Sequence, residues 1–280
     1  MSELKLSHQG EELIEHYKYM AENGYQTATN GMVENNEVYE RFELKKFRQM
    51  VRPKLLHPDI QSVLDYGGGG SDWEAADFEP DSGESAKEYF LIDQVATYEP
   101  ARGLNQKTKA DCVVCMDVLE HVFLPDVPKV VKDLFGLAKK LLIINVACYR
   151  AGALLPNGEN AHVTIREPHW WKAVIDVVSL NYPEIEVYLF CSESYDRGVV
   201  FESFKSGNWL ESNSYEIDQN YLDFNDPRPR VSETKPHQNI TVSPSQIIDL
   251  VGKLLEERPQ YTSEIGSLVS RNTHLRAGID

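Results

Sequence analysis

The chain has 280 residues, of which 44 are acidic and 28 basic, so its formal net charge is −16. A surface of this sign repels phosphate backbones and anionic lipids, so neither nucleic acid nor a membrane is an expected partner. The first residues show no basic region followed by an apolar stretch, and no run reaches the roughly 18 apolar residues of a membrane helix. We therefore expect a cytoplasmic protein with one core domain and terminal additions.

Residues 1–59 are predicted to form a helical segment ahead of the core. Apolar residues recur at helical spacing over residues 9–22 and again over residues 37–56. Two roles stay open for these helices: they either pack against an edge of the sheet or form a lid or cap over the site.

Residues 60–205 are predicted to form the core, in which strands alternate with helices. Four nearly continuous apolar runs are typical of strands buried on both faces of a parallel sheet; they are residues 62–66, 89–93, 111–116 and 141–146. Helices are predicted at residues 125–138 and 168–180, and a hairpin at residues 185–205 closes the sheet. This order predicts an α/β, Rossmann-like mixed sheet of seven strands, mostly parallel with an antiparallel terminal hairpin and helices on both faces.

Residues 206–280 differ in composition from the core, because Asn, Ser, Asp and Pro become dense. The run Ser243-Pro244-Ser245-Gln246 is typical of a helix start, so we expect one or two helices in this C-terminal extension. Three roles stay open for it: closure over the site, formation of a homodimer, and a peripheral arm.

Four consecutive glycines, Gly67 to Gly70, follow the first predicted strand. Glycine lacks a Cβ and adopts positive φ readily, so the main chain of such a turn can approach a ligand closely. A turn at this place puts a cofactor site at the carboxyl end of the first strand. A dinucleotide fingerprint would need a further glycine where Asp72 or Trp73 stands, depending on the register, so a nicotinamide cofactor is the weaker alternative.

The segment Val63-Leu64-Asp65-Tyr66 with its glycines resembles the first motif of class I S-adenosylmethionine-dependent methyltransferases of the small-molecule type. That motif is an apolar pair, an acid, any residue, and then three glycines at every second position. Gly67 and Gly69 match, and Ser71 stands in the place of the last glycine. Residues 111–122, with their Leu-Glu-His-Val ending, are similar to the family's fourth-strand segment. The resemblance covers about residues 60–205.

The resemblance implies S-adenosylmethionine as cofactor and a set of residues that hold it. Asp93, at the end of the predicted second strand, is expected to bind the ribose hydroxyls, because a carboxylate accepts two hydrogen bonds from a vicinal diol. The other expected cofactor-binding residues are Asp65, Tyr66, Gly67, Gly68, Gly69, Gln94 and Asp117.

The implied reaction is methyl transfer to an oxygen or nitrogen of a small-molecule acceptor, with a sugar or a cell-surface precursor as one acceptor class. Such an acceptor must lose a proton, and histidine is the base best suited to neutral pH. His162 is the first candidate for this catalytic role and His121 the second. Asp117, Glu120 and His121 are too close in sequence to be expected to converge on an ion, so no metal site is predicted.

Two further interpretations stay open. The chain is alternatively a nicotinamide-dependent oxidoreductase or epimerase, or a non-catalytic cofactor-binding protein of the same fold. The irregular segments at residues 71–87 and 100–110 motivate the last of these, because they leave little room for a regular helix and a third strand.

Overall fold

The computed structural model describes residues 4–35, 42–204 and 213–218, and the statements below refer to these residues. The predicted helices of the C-terminal extension lie outside them. None of the helices in the described ranges combines the length and the apolar character that a bilayer-crossing helix needs.

Helices and strands alternate along the chain, as the sequence predicts. The helices are α1 (His8–Asn23), α2 (Leu44–Leu55), α3 (Ala86–Phe90), α4 (Val127–Leu137) and α5 (Pro168–Ser179). The strands are β1 (Tyr25–Gln26), β2 (Met32–Val33), β3 (Ser62–Tyr66), β4 (Gln94–Glu99), β5 (Leu104–Asn105), β6 (Ala110–Met116), β7 (Ala138–Ala147), β8 (Glu186–Ser194), β9 (Arg197–Phe204) and β10 (Asn213–Ile217).

Eight of these strands form one sheet, in the order β10-β9-β8-β7-β6-β3-β4-β5. The five central strands, β8, β7, β6, β3 and β4, pair in parallel. The outer strands β5, β9 and β10 join through antiparallel pairing. The predicted α/β class is confirmed, with eight strands in the described sheet where seven were expected. The terminal hairpin, formed by β8 and β9, is also present as predicted.

The order of the strands reverses beside β3. The chain passes from β3 to β4 on one side and then returns to β6 on the other side of β3. In open α/β sheets, ligands bind at the carboxyl ends of the strands where such a reversal occurs, because the flanking loops diverge there. The loops after β3 and β6 therefore border the expected ligand crevice.

The hydrophobic core covers both faces of the sheet, which explains the nearly continuous apolar runs. Along β3, Leu64 packs with the buried side chains of α4 and α5, such as Phe135 and Trp171. Its neighbour Val63 points to the other face and packs with Phe47 of α2 and Phe90 of α3. The alternation of side chains along a strand thus fills two separate apolar layers.

The strand predicted at residues 89–93 is wrong, because α3 ends there. Ser85 and Glu88 form a capping box: the Ser85 side chain accepts from the Glu88 amide, and the Glu88 carboxylate accepts from the Ser85 amide. The helix ends at Leu91, which is left-handed with φ of 55°. A short apolar run does not distinguish a buried helix from a buried strand, and here the cap decides in favour of the helix.

Candidate functional site

The glycine turn, defined as Gly67 to Gly70, lies at the carboxyl edge of the sheet. Gly67 and Gly69 both adopt positive φ, 76° and 55°. The Gly67 amide donates to the Tyr98 carbonyl at 2.7 Å, which ties the turn to the end of β4. A Cβ on Gly67 would lie 2.4 Å from Cγ2 of Val118, so glycine is required by close packing as well as by conformation.

Asp65 and Tyr66, both predicted to hold the cofactor, use their side chains to support the turn. The buried Asp65 carboxylate accepts hydrogen bonds from Ser71 Oγ at 2.5 Å and Trp73 Nε1 at 2.8 Å. Tyr66 is also buried, and its hydroxyl donates to Asp133 Oδ2 at 3.0 Å. A Cβ on Gly68 would lie 2.7 Å from Asp65 Oδ2, so this carboxylate packs directly against the turn.

Asp93 and Gln94 lie at the wrong end of β4 for the role predicted from the sequence. Their amides both donate to the Gln61 carbonyl, just before β3 begins, so they mark the amino edge of the sheet. Both side chains are exposed, and Asp93 borders a shallow surface depression beside Leu91. The placement of Asp93 at the carboxyl end of the second parallel strand is therefore wrong, because the strand starts where it was expected to end.

Glu99, which the sequence analysis missed, is the acid at the carboxyl end of β4. Its side chain is 8% exposed, with Oε2 accepting from the Gly69 amide and Oε1 from the Ala101 amide, both at 3.0 Å. Burial raises the pKa of Glu99, and the two amide hydrogen bonds act in the opposite direction. Each carboxylate oxygen keeps a second lone pair, so Glu99 can still accept two hydrogen bonds from a ligand diol. The signal in the sequence was Thr97-Tyr98-Glu99 before Pro100, where a strand must end.

A second group of side chains, the histidine cluster, consists of Asp117, His121 and His162. One possible ligand atom from each lies within 4.8 Å of the others. Asp117 directly follows β6 with φ of 59°, and His121 ends the 3-10 turn Leu119–His121. His162 comes from the long segment between β7 and α5, and its ring lies edge-on to that of His121 with 4.8 Å between centroids. The structure thus brings together both predicted histidines and Asp117.

Main-chain carbonyls fix the tautomer of both histidines. Nδ1 of His121 lies 2.9 Å from the Ala161 carbonyl oxygen and 3.1 Å from the Tyr17 hydroxyl, whose own proton is donated to Ala161. Nδ1 of His162 lies 2.5 Å from the Tyr149 carbonyl oxygen. A carbonyl only accepts, so each Nδ1 carries the proton and each neutral ring keeps the lone pair on Nε2.

Burial and the short distances between the three side chains shift the pKa values in the histidine cluster and so determine its charges. Burial, together with His162, lowers the pKa of His121 to about 4, and burial also lowers the pKa of His162. Burial alone would raise the pKa of Asp117, but His162 and His121 outweigh it and lower that pKa. Near neutral pH the cluster therefore consists of two neutral imidazoles and one carboxylate.

Glu120 lies behind the histidine cluster and is fully buried. Its Oε1 accepts from the Ala147 amide at 2.5 Å, and its carboxyl group interacts with the Asp117 side chain. Burial, and then the charge of Asp117, raises the pKa of Glu120 well above its usual range. This shift favours the protonated, uncharged form of Glu120.

Helix α1 contacts the histidine cluster, whereas α2 packs on the face of the sheet. The Tyr17 hydroxyl donates to the Ala161 carbonyl at 2.8 Å, and its ring meets that of His121 edge-on at 5.2 Å. The helix is anchored at its first turn, where the Ser7 amide and hydroxyl donate to the buried Asp126 carboxylate. Through Tyr17, α1 makes the contact with the site that a lid would make. Phe47 of α2 is buried, so α2 takes the other predicted role and packs against the sheet.

The glycine turn and the histidine cluster are neighbours, because Val118 follows Asp117 in the chain and lies against Gly67. One carboxyl edge thus carries the glycine turn and the buried Glu99 carboxylate beside two histidine rings. Comparisons of the chain with models of protein families and with curated proteins find no match.

Proposed function

We propose that the protein is a methyltransferase that binds S-adenosylmethionine and methylates an oxygen or nitrogen of a small acceptor. The observation that carries this proposal is the position of Glu99. It is a buried acid at the carboxyl end of the second parallel strand and accepts from Gly69 in the turn that ends the first. This is the arrangement that the resemblance led us to expect of Asp93.

The glycine turn supports the proposal because it offers a place for the amino-acid portion of S-adenosylmethionine. The turn has no side chains of its own and is partly exposed, which suits the close approach of a ligand from the side that Val118 and Asp65 do not cover. Glu99 would accept hydrogen bonds from the ribose hydroxyls, since both of its oxygens keep lone pairs after binding Gly69 and Ala101. The reversal of strand order beside β3 favours a ligand at this same place.

The histidine cluster supports the proposed methylation of a small acceptor. The cofactor carries the activated methyl group, so the protein must align the acceptor and assist loss of its proton. His162 and His121 are neutral near pH 7 and keep Nε2 lone pairs, so both can accept a proton. The pKa of His121, lowered to about 4, makes it a weak base at neutral pH, which favours His162 for this role. The proposal therefore keeps both residues as catalytic candidates, with His162 first.

Calorimetric titration with S-adenosylmethionine and with its demethylated product tests the proposal. We expect the wild type to bind both and Glu99→Gln to lose about tenfold or more in affinity, because a charged hydrogen-bond acceptor for the ribose is removed. Asp93→Asn is the matched control: it neutralises an acid at the other end of the same strand and should leave affinity unchanged.

Three results would contradict the proposal. They are failure of the wild type to bind either compound, unchanged binding by Glu99→Gln, and tighter binding of reduced nicotinamide dinucleotide in a parallel fluorescence titration. Thermal unfolding of each variant checks that a loss of binding is not a loss of fold.

A further inference from the structure

We infer that Asp117, His121 and His162 bind a divalent transition-metal ion at the carboxyl edge of the sheet. Two imidazoles and one carboxylate form a common ligand set for such ions, and three protein ligands leave coordination positions open for a substrate. The cluster goes beyond the proposed function, because methyl transfer from a sulfonium does not by itself require a metal.

The spacing of the three side chains fits this assignment. Their candidate ligand atoms lie within 4.8 Å of one another. Metal bonds of about 2.1 Å place neighbouring ligand atoms about 3.0 to 3.4 Å apart, so the cluster needs a contraction of up to about 1.5 to 2 Å to close on an ion. Two segments far apart in sequence supply the ligands, so the convergence is a product of the fold and not of local chain geometry.

The surroundings of the histidines match those of metal ligands. A ligating histidine usually donates its other ring N–H to a carbonyl or carboxylate, which fixes the tautomer and aims the free nitrogen. Nδ1 of His121 does so to Ala161 and Nδ1 of His162 to Tyr149. Both rings are therefore held with the Nε2 lone pair available for coordination.

Asp117 brings the negative charge that a cation site needs. Its backbone is left-handed, with φ of 59°, and its amide donates to the Asn145 carbonyl of β7. A non-glycine residue in this conformation costs free energy, and such residues occur often at functional sites. The neutral nitrogen ligands favour a transition-metal ion over magnesium or calcium, which prefer oxygen ligands throughout.

The ion has a chemical consequence that rests on the proposed function. With the ion bound, the Nε2 lone pairs of His121 and His162 are used in coordination, so the ion replaces the histidines in promoting proton loss. An acceptor hydroxyl that coordinated the ion would have a lowered pKa and would lose its proton to solvent. The oxygen lone pair then forms the bond to the methyl carbon while the carbon–sulfur bond breaks, and that electron pair leaves with sulfur as a neutral thioether. An ion at this position favours an oxygen acceptor over a nitrogen one.

Cobalt titration of the full-length protein, after removal of bound metals by a chelator and dialysis, tests the site. We expect one equivalent of Co²⁺ to bind and to give visible absorption bands typical of nitrogen and oxygen ligands. Asp117→Asn and His162→Asn should each weaken binding by about tenfold or more. His169→Asn is the matched control, because His169 is exposed and lies outside the cluster, and it should bind as the wild type does.

Absence of the absorption bands in the wild type would overturn the inference, whatever the variants do. Unchanged affinity in both cluster variants, or an equal loss in His169→Asn, would also overturn it. The result is separable from the proposed function: Glu99→Gln should keep cobalt and lose the sulfonium cofactor, while His162→Asn should do the reverse.

Discussion

The two halves of the carboxyl edge, the glycine turn with Glu99 and the histidine cluster, are built in different ways. The glycine turn is held by its own main-chain amides, which donate to the Tyr98 carbonyl and the Glu99 carboxylate, and by close packing against Val118. The histidine cluster is held by side chains whose ring nitrogens donate to carbonyls of distant segments. The first half offers a turn without side chains of its own and a carboxylate, whereas the second offers lone pairs that can accept a proton or bind a metal.

This difference predicts that substitutions in the two halves fail in different ways. A change in the glycine turn should cost stability first, because the backbone has no alternative conformation there. A change around the histidine cluster should mainly alter local order and ligand binding, since its contacts involve side chains and one covering helix.

Gly67→Ala should have the largest effect on stability. The new Cβ meets Val118 and the residue keeps φ of 76°, so we expect the free energy of unfolding to fall by about 3 kcal/mol. Gly103→Ala is the matched control: its φ is 70°, but no atom lies within 4 Å of the added Cβ. It should cost about 1 kcal/mol, for conformation alone. Urea unfolding measures both, and equal losses would show that the Val118 contact is unimportant.

Asp126→Asn should have the next largest effect and should act on the histidine half. The Asp126 carboxylate accepts from Ser7 at the start of α1 and from Lys129. Losing these charge-assisted hydrogen bonds should cost about 2 kcal/mol. Hydrogen exchange should quicken in α1 and stay unchanged in the glycine turn; a uniform increase across both would contradict a local anchor.

The pH dependence of this effect has a definite sign. Burial alone would raise the pKa of Asp126, but hydrogen bonds from Lys129 and Ser7 outweigh it and lower that pKa below the ordinary value of 3.8. The folded protein then binds fewer protons than the unfolded one, so the stabilisation is present above the unfolded pKa. It is lost as pH falls through the lower folded pKa. The difference between wild type and Asp126→Asn should shrink there, and a constant difference would contradict the assignment.

Tyr17→Phe should have the smallest effect. It removes the hydroxyl that donates to Ala161 but keeps the ring against His121, so we expect about 1 kcal/mol or less in the free energy of unfolding. Hydrogen exchange of α1 should rise slightly. A loss as large as that of Asp126→Asn would mean that the hydroxyl, and not the anchor at Ser7, holds the helix.

The sequence predicted the halves of the site unequally, for physical reasons. The strand at residues 62–66 and the turn after it were predicted correctly because an apolar strand that runs into glycines leaves a contiguous pattern. Glu99 was missed because the capping box at Ser85 turned the apolar run at residues 89–93 into a helix and moved the strand along the chain.

The histidine cluster was predicted residue by residue but not as a unit. His121 and His162 were each named as a base, and Asp117 as a cofactor residue, yet no pattern in one sequence shows that segments after β6 and β7 converge. Glu120, a sequence neighbour of His121, was considered as a ligand; it is instead fully buried behind the cluster, its pKa is raised by burial, and one of its oxygens accepts from an amide of β7.

The contact between Gly67 and Val118 constrains how this protein can vary over evolutionary time. Valine at position 118 already fills the space that any larger residue at position 67 would need. Enlargement of either residue alone would force the two loops apart, so substitutions at these positions should be tolerated only as compensating pairs. In homologues that diverge here, the identities at positions 67 and 118 are expected to change together.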